Sequence, residues 1–294
     1  MKKFSKIVCI IAGIMLGAGI ILAFIGFALG AKSSVYLDFK NGIRLAPQNE
    51  PFVYENYELE NISEIYIDVS NAKLDIQPSV NGKFGICINY NNFTETPSVS
   101  TDNNRINVHE TAQTKIGIFN IISLWTIFSS ENTITLYIPV SDSTVLTSFI
   151  FHTSNGSVQT DTPLKTESLD IKTSNGSINM SRLSVSKSTL LKTSNGAIIC
   201  DGAFSGITEF KTSNGRIEVS GTISDTFNLK TSNGSITVNA DKPQSSYSLY
   251  ADTSNGPIKI NGDKVSDDYS RISSSQNSIT AKTSNGSINF NFQN

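Results

Sequence analysis

The stretch Leu229 to Val238, "LKTSNGSITV", decides the fold, because the chain carries it in nearly the same form seven times. The Thr-Ser-Asn-Gly tetrapeptide begins at Thr153, Thr173, Thr193, Thr212, Thr231, Thr253 and Thr283, with spacings of 20, 20, 19, 19, 22 and 30 residues. A catalytic motif normally occurs once. A structural corner occurs once per turn of a repeating fold. Two residues before the Thr stand Phe151, Ile171, Leu191, Phe210, Leu229, Ala251 and Ala281, all apolar. Immediately before it stand His152, Lys172, Lys192, Lys211, Lys230, Asp252 and Lys282, all polar. Five after it comes a β-branched residue in every copy: Val158, Ile178, Ile198, Ile217, Ile236, Ile258 and Ile288. Seven after it the residue is again mostly apolar, and eight after it come the turn formers Asp161, Ser181, Asp201, Ser220, Asn239, Asn261 and Asn291.

Period two on both sides of Asn-Gly means two short strands per repeat. Gly adopts positive φ freely and Asn tolerates it, so the pairs Asn155-Gly156, Asn175-Gly176, Asn195-Gly196, Asn214-Gly215, Asn233-Gly234, Asn255-Gly256 and Asn285-Gly286 are expected to be left-handed corners. The Asp/Ser/Asn position is a second corner, and Leu164, Leu183, Phe204 and Ile223 suggest a short third side. A meander of Asn-Gly hairpins would show the same alternation. Stacked coils differ in placing each residue about 4.8 Å from its own copy, so that Asn meets Asn and Thr meets Thr. Identity at every copy therefore favours a parallel β-helix with coils of about 20 residues. Fainter copies appear at Ile65 to Ile76, with Val69-Ser70-Asn71-Ala72 at the corner, at Ser100 to Val108, with Asn104 in the Gly place, and at Ser274 to Ile279, around Asn277. The sequence divides into a basic tail (1–6), an apolar anchor (7–31), a stalk and cap (32–62) and the solenoid (63–294), with insertions at 110–131 and 263–273. The final coil, ending at Phe292-Gln293-Asn294, is expected to present open strand edges unless Asp263 to Ile272 folds over them, which makes self-association an expectation.

The chain has 294 residues and a formal net charge of −2, so nothing in it points to nucleic acid as a partner. Cys9, Cys87 and Cys200 form no CxxC, and His109 and His152 are the only histidines, which leaves little to build a zinc site or a Cys-His nucleophile. No cofactor is expected. Cys87 and Cys200 read as strand residues rather than as a disulfide. Residues 7–31 run 25 positions without a charge, long enough at about 1.5 Å per residue to cross a hydrocarbon core of about 30 Å. Lys2, Lys3 and Lys6 precede them, so the positive-inside rule places the N-terminus in the cytoplasm and the rest outside the cell membrane. A signal peptide is the rival reading. Its apolar region usually runs about 7–15 residues, yet Ala28-Leu29-Gly30 offers a small-x-small cleavage site. A single uncleaved transmembrane helix is the expectation adopted.

The stretch "ITLYIPVSDSTVLTSFIFHTSNGSVQT", Ile134 to Thr160, resembles the bacterial putative-adhesin family of β-strand repeats, a domain family of unknown function. The likeness covers roughly residues 60–294. It implies a right-handed parallel β-helix, often on a membrane anchor, and in some firmicutes a link to cell-envelope stress systems. It supplies no catalytic residues.

An enzyme reading would need carboxylates clustered on one face, as in polysaccharide-cleaving β-helices. Asp161 and Asp201 fall at the second corner, where turn chemistry explains them, and Asp263, Asp267 and Asp268 match no calcium-loop spacing. Two further features stand out. The segment "IGIFNIISLWTIF", Ile116 to Phe128, is too short to span a bilayer, and Phe119, Trp125 and Phe128 make it either a buried cap or a contact for the membrane or a membrane-protein partner. Lys172, Lys192, Lys211 and Lys230 share one repeat position, so stacking turns them into a ladder. It is either a solvated face or a stripe for an anionic wall polymer or lipid head groups. The expected function is a non-enzymatic, membrane-anchored, extracytoplasmic binding or scaffolding module at the bacterial envelope. The alternatives are an accessory in envelope-stress sensing and a polysaccharide-active enzyme.

Overall fold

The computed structural model describes residues 8, 11–19, 21–22, 35–38, 42–45, 52–90, 97–110, 115–119 and 132–293. Two compact units divide the chain, Met1–Glu50 with Gln113–Ser129, and Pro51–Ala112 with Ser130–Asn294. In the first unit, residues 11–19 are helical, and their apolar side chains stand in the open, with Ile14, Met15 and Leu16 at 67%, 70% and 69% exposure. Among the described residues no helix is long and apolar enough to cross a membrane. The same unit holds a three-stranded antiparallel sheet in which Val35–Asp38 lies between Gly42–Leu45 and Lys115–Phe119.

The second unit is a stack of coils. The strand before each corner pairs in parallel with its counterpart one repeat away, Phe151 opposite Ile171, Ile171 opposite Leu191, Leu191 opposite Phe210 and Phe210 opposite Leu229. The strand after the corner does the same, Val158 opposite Ile178, then Ile198, Ile217 and Ile236. The register is therefore the repeat itself, which a meander of hairpins cannot produce. Inward positions of both sheets form continuous buried rows, and the aliphatic row from Leu74 through Ile236 to Ile288 is at most 1% exposed. Burying such rows is the main stabilising term, since each aliphatic side chain removed from water contributes about 1.5–3 kcal/mol. Phe204, Phe210 and Phe227 meet edge to face with centroids 5.2–5.7 Å apart and fill the interior where the third side closes. Cys87 and Cys200 are both free thiols, and Cys200 is buried in the row between Met180 and Val219. That burial pushes its thiol well above the ordinary range.

The third side exists, but its rows differ from the alignment read off the sequence. Leu164 stacks on Leu183, whereas Phe204 stacks on Val185 and Ile223 on Phe204. Gly202 takes the place beside Leu183, where a Cβ would overlap the Leu183 carbonyl oxygen, and the shortening from 20 to 19 residues falls at the register shift between Met180 and Leu183. The copy at Ser100 to Val108 is also out of step. Asn103 and Asn104 do take left-handed angles, but the strand after them, Arg105–Glu110, pairs with Glu64–Asp68, which precedes the first corner.

The order of the last coils departs most from expectation. The coil of Thr283 lies between those of Thr231 and Thr253. Leu229 faces Ala281, and Ala281 faces Ala251. Ile236 faces Ile288, and Ile288 faces Ile258. Residues 288–292 therefore have a parallel neighbour on one side throughout and on both sides at Ile288 to Phe290. The outermost coil is covered by the insertion: Asp263–Val265 pairs antiparallel with Ile258–Ile260, and Asp268–Arg271 pairs antiparallel with Ser248–Thr253. At the opposite end Pro97–Ser100 lies antiparallel to Arg105–Glu110, and Phe84–Tyr90 lies antiparallel to Asn132–Ile138, with Phe52–Leu59 antiparallel beyond it. An antiparallel strand cannot continue a parallel stack in register, so Asp263–Val265, Asp268–Arg271, Pro97–Ser100 and Phe84–Tyr90 each stop the solenoid.

The amides of Ile288 to Phe290 are expected to exchange with deuterium within about tenfold of those of Ile217 to Val219, while those of residues 263–271 exchange much faster. Native-state hydrogen exchange reads this directly, and rapid exchange across 288–290 would contradict the interleaved order.

Candidate functional site

The corner shows what each letter of Thr-Ser-Asn-Gly does. The Thr points inward and is buried, 2% exposed at Thr193. Its hydroxyl donates to the carbonyl of the corner glycine one coil earlier, as from Thr193 to Gly176 at 2.9 Å and from Thr231 to Gly215 at 2.9 Å. The same oxygen accepts the N–H of its own coil's glycine, Gly196 to Thr193 at 3.1 Å. The Ser and Asn amides converge on one carbonyl of the previous coil, Ser174 and Asn175 both donating to Ser154 at 3.1 and 3.0 Å. The Asn side chains form a one-way ladder on the outside. Each Nδ2 donates to the Oδ1 of its neighbour, from Asn155 to Asn71 at 2.6 Å and on through Asn175, Asn195, Asn214 and Asn233 to Asn285 and Asn255.

The glycine is required for a reason other than the one expected. None of the seven corner glycines has a left-handed φ. A Cβ on Gly215 would overlap the carbonyl oxygen of Gly196, and one on Gly234 that of Gly215. Close approach of backbone to backbone excludes every side chain there. Left-handed angles occur instead past the later corners, as at Gly206 (φ +74). There the N–H donates to Asp225 Oδ2 at 2.8 Å, and Asp225 is itself at φ 60.

Just before the corner, on the outer face, the lysines stack in register: Lys172, Lys192, Lys211, Lys230 and then Lys282, with His152 preceding Lys172. Lys282 belongs to the row because its coil is interleaved. Its repeat position was visible in the sequence, but its place beside Lys230 was hidden by the 30-residue spacing. Exposed charges about 5 Å apart repel by about 0.8 kcal/mol per pair in water. Relief is partial. Lys172 pairs with Asp170 at 2.8 Å, Lys211 pairs with Glu209 at 2.6 Å, and Lys282 sits 4.8 Å above the Tyr250 ring, a cation–π contact. Lys192 and Lys230 have no ion pair among the described residues.

Beyond His152 the row continues through Asp68 to His109. A cavity of about 490 Å³ opens there, lined by these three with Ser70, Glu110 and Ser154 among others. It brings together both histidines, which no repeat pattern could have signalled. Their neighbours are already engaged. Glu110 accepts from Tyr90 Oη and from the Ser70 N–H, each at 2.7 Å, and a ring nitrogen of His109 lies 3.1 Å from Ser98 Oγ. His152 Nε2 lies 3.4 Å from Lys172 Nζ and 3.3 Å from Asp170 Oδ1. Among the described residues no three His, Cys, Asp or Glu side chains are grouped to hold a metal.

Asp161 follows the strand Val158–Thr160 and Asp201 lies within the strand Ile198–Phe204, each engaged by a neighbour. Asp161 accepts from Ser181 Oγ at 3.2 Å, and Asp201 accepts the Arg182 N–H at 3.1 Å. Asp263 and Asp268 lie in the covering strands. Trp125 and Phe128 lie outside the described residues, and Phe119 ends the strand Lys115–Phe119.

The family described as Toastrack DUF4097 matches residues 62–293, so the chain belongs to that family. Among solved structures the chain is similar to a putative adhesin from Bacteroides fragilis, at 15% identity and TM-score 0.45, over 83% of this chain and 98% of that one. It is also similar to a putative cell adhesion protein from Clostridium sporogenes, at 12% identity and TM-score 0.38, over 83% and 100%. A putative lipid binding protein from Parabacteroides distasonis gives 14% identity and TM-score 0.36, over 84% and 98%. No curated protein matches the sequence.

Corner substitutions separate close approach from left-handed geometry. Gly215→Ala and Gly215→Asn are both expected to lower stability by about 1–3 kcal/mol or more in urea unfolding, because any Cβ overpacks the site. A left-handed corner would tolerate Asn. Thr193→Val keeps the shape and strands a buried N–H and C=O, at a cost of about 1–3 kcal/mol.

Proposed function

We propose that the chain is a non-enzymatic binding or scaffolding module of the bacterial cell envelope, adhesin-like in action and held at the cell membrane by its N-terminal segment. The observation that carries this reading is the character of the solenoid surface. Long, regular rows of Lys, Ser and Asn are displayed on a frame whose backbones are hydrogen-bonded from coil to coil. The carboxylates, in contrast, are engaged one by one, Asp170 and Glu209 by single lysines, Asp161 by a serine hydroxyl and Asp201 by a backbone N–H. Such a surface suits an extended ligand contacted weakly at many equivalent points. The apolar, exposed side chains of residues 11–19 support anchoring, because a face of that kind needs a lipid or protein cover. The lysines ahead of it favour a cytoplasmic N-terminus with the solenoid outside. The right-handed winding implied by the resemblance is retained, since parallel strands joined by crossovers are right-handed almost without exception.

The full-length chain in non-ionic detergent micelles is expected to co-sediment saturably with isolated bacterial cell envelopes. In cells it should stay with the membrane fraction through a high-salt wash. Retention no greater than that of empty micelles would overturn the module, and release by the wash would overturn the anchor.

A further inference from the structure

We propose that the lysine row is a docking strip for a linear phosphate-bearing polyanion lying parallel to the stacking direction of the coils. This deepens the envelope-module reading and rests on it. The strip consists of Lys172, Lys192, Lys211, Lys230 and Lys282 at one register position on neighbouring strands. Strands in a sheet lie about 4.8 Å apart, so five roots span about 19 Å. The row is an excess of positive charge on a chain whose formal net charge is −2.

Three observations go beyond periodicity. The first is the order of the coils. Stacking in sequence order would place Asp252 between Lys230 and Lys282 and break the row with a carboxylate. The interleaved order instead sets Lys282 against Lys230 and leaves Asp252 at the outer end. The core pattern is nearly the same either way, Ala251 for Ala281 and Ile258 for Ile288. The fold thus holds five like charges in line although a relieving arrangement matches its core. The second is the placing of the acids. Asp170 and Glu209 pair with alternate lysines and lie on the side away from the corner. Lys192 and Lys230 keep their ammonium groups free of ion pairs among the described residues. The third is the corner side of the row. It carries only the neutral serine and asparagine rows, exposed at Ser174, Ser213, Ser232 and Ser284, so an anion approaching there meets hydroxyls and amides and no carboxylate.

Lysine suits this task. Its ammonium is a compact point charge on a flexible stem and pairs with phosphate without demanding a fixed geometry. A polymer engages several at once, so each additional contact is intramolecular and raises overall affinity. A single phosphate gains one contact and binds weakly. The strip is finite, with His152 and then Asp68 at one end and Asp252 at the other. Affinity should therefore rise with polymer length until about 19 Å is covered and then level off.

The test uses the full-length chain in non-ionic micelles and linear inorganic polyphosphate of graded length, with orthophosphate as the monomer control. Expected results are binding that weakens steeply with salt and an affinity plateau once the strip is covered. Replacing all five lysines (K172Q, K192Q, K211Q, K230Q and K282Q) should cost at least about tenfold in affinity and flatten the salt dependence. The pair K192Q and K230Q should cost severalfold, while K73Q with K242Q, off the row, should change nothing. The five side chains are on the outer face, so the variants should melt like the parent. No binding by the parent, an unchanged fivefold variant, or no length dependence overturns the strip. Preference for anionic vesicles over polymer at matched phosphate overturns it too, in favour of a lipid surface. If envelopes are retained equally by the fivefold variant, the strip falls and the module stands. If lysine-dependent polyphosphate binding occurs without envelope retention, the module reading falls.

Discussion

Everything in this solenoid depends on how close two backbones can come at the Asn-Gly corner. Parallel strands fix the distance between coils at about 4.8 Å. At the corner the chain turns so that one glycine sits directly on the carbonyl of the next, leaving no room for a Cβ. That contact brings the threonine hydroxyl within reach of both the carbonyl below it and its own glycine amide. It also sets the asparagine amides side by side in one line. Gly, Thr and Asn are thus one device: the glycine permits the approach, and the other two satisfy the polar groups that the approach would otherwise bury. Only the first coil is exempt. It carries Ala72 where later coils have glycine, and among the described residues no corner glycine lies on its far side, where Asn132 pairs with it.

Stability in such a stack is a sum of coil and interface terms rather than the product of one central core. The inward rows make every interface similar, and two stacked threonines, Thr189 and Thr208, are the departure. Both are buried, and neither hydroxyl has a hydrogen-bond partner among the described residues. Unpaired buried hydroxyls are costly, and nothing in the surrounding packing explains why threonine stands there. The ends are handled separately. Four antiparallel strands close the two sheets at both ends, so the stack has a fixed number of coils although its repeat could be continued indefinitely.

The sequence made the corner, the coil length and the inward rows legible, because stacked identity leaves a signature that alternation alone does not. It misled on mechanism at Gly215, since a glycine needed for closeness and one needed for positive φ look alike on the page. It misled at Ser100 to Val108 because Asn103-Asn104 makes a real turn that belongs to a different side of the coil. It could not order the last two coils. Ala251 with Ile258 and Ala281 with Ile288 present the same inward face to Leu229 and Ile236, and the charges argued for the wrong order. The lysine row was readable as four members, and the fifth depended on that order. The cavity beside His109 and His152 was unreadable, because it joins strands more than forty residues apart through pairings outside the main repeat.

The interleaved coil has a consequence for how the molecule comes into being. Chains are made from the N-terminus, and most stacked folds can grow coil by coil as they emerge. This one cannot finish that way. When residues 248–260 appear, the strands that will flank them do not yet exist, and the surface exposed by the Thr231 coil invites them to settle there early. Settling there would fill the place that residues 278–292 must later take. Synthesis therefore poses a timing problem once residues 248–260 have emerged. Residues 278–292 must arrive before the coil of residues 248–260 has committed itself, or must displace it, and in the finished fold residues 263–271 lie antiparallel on the other side of that coil.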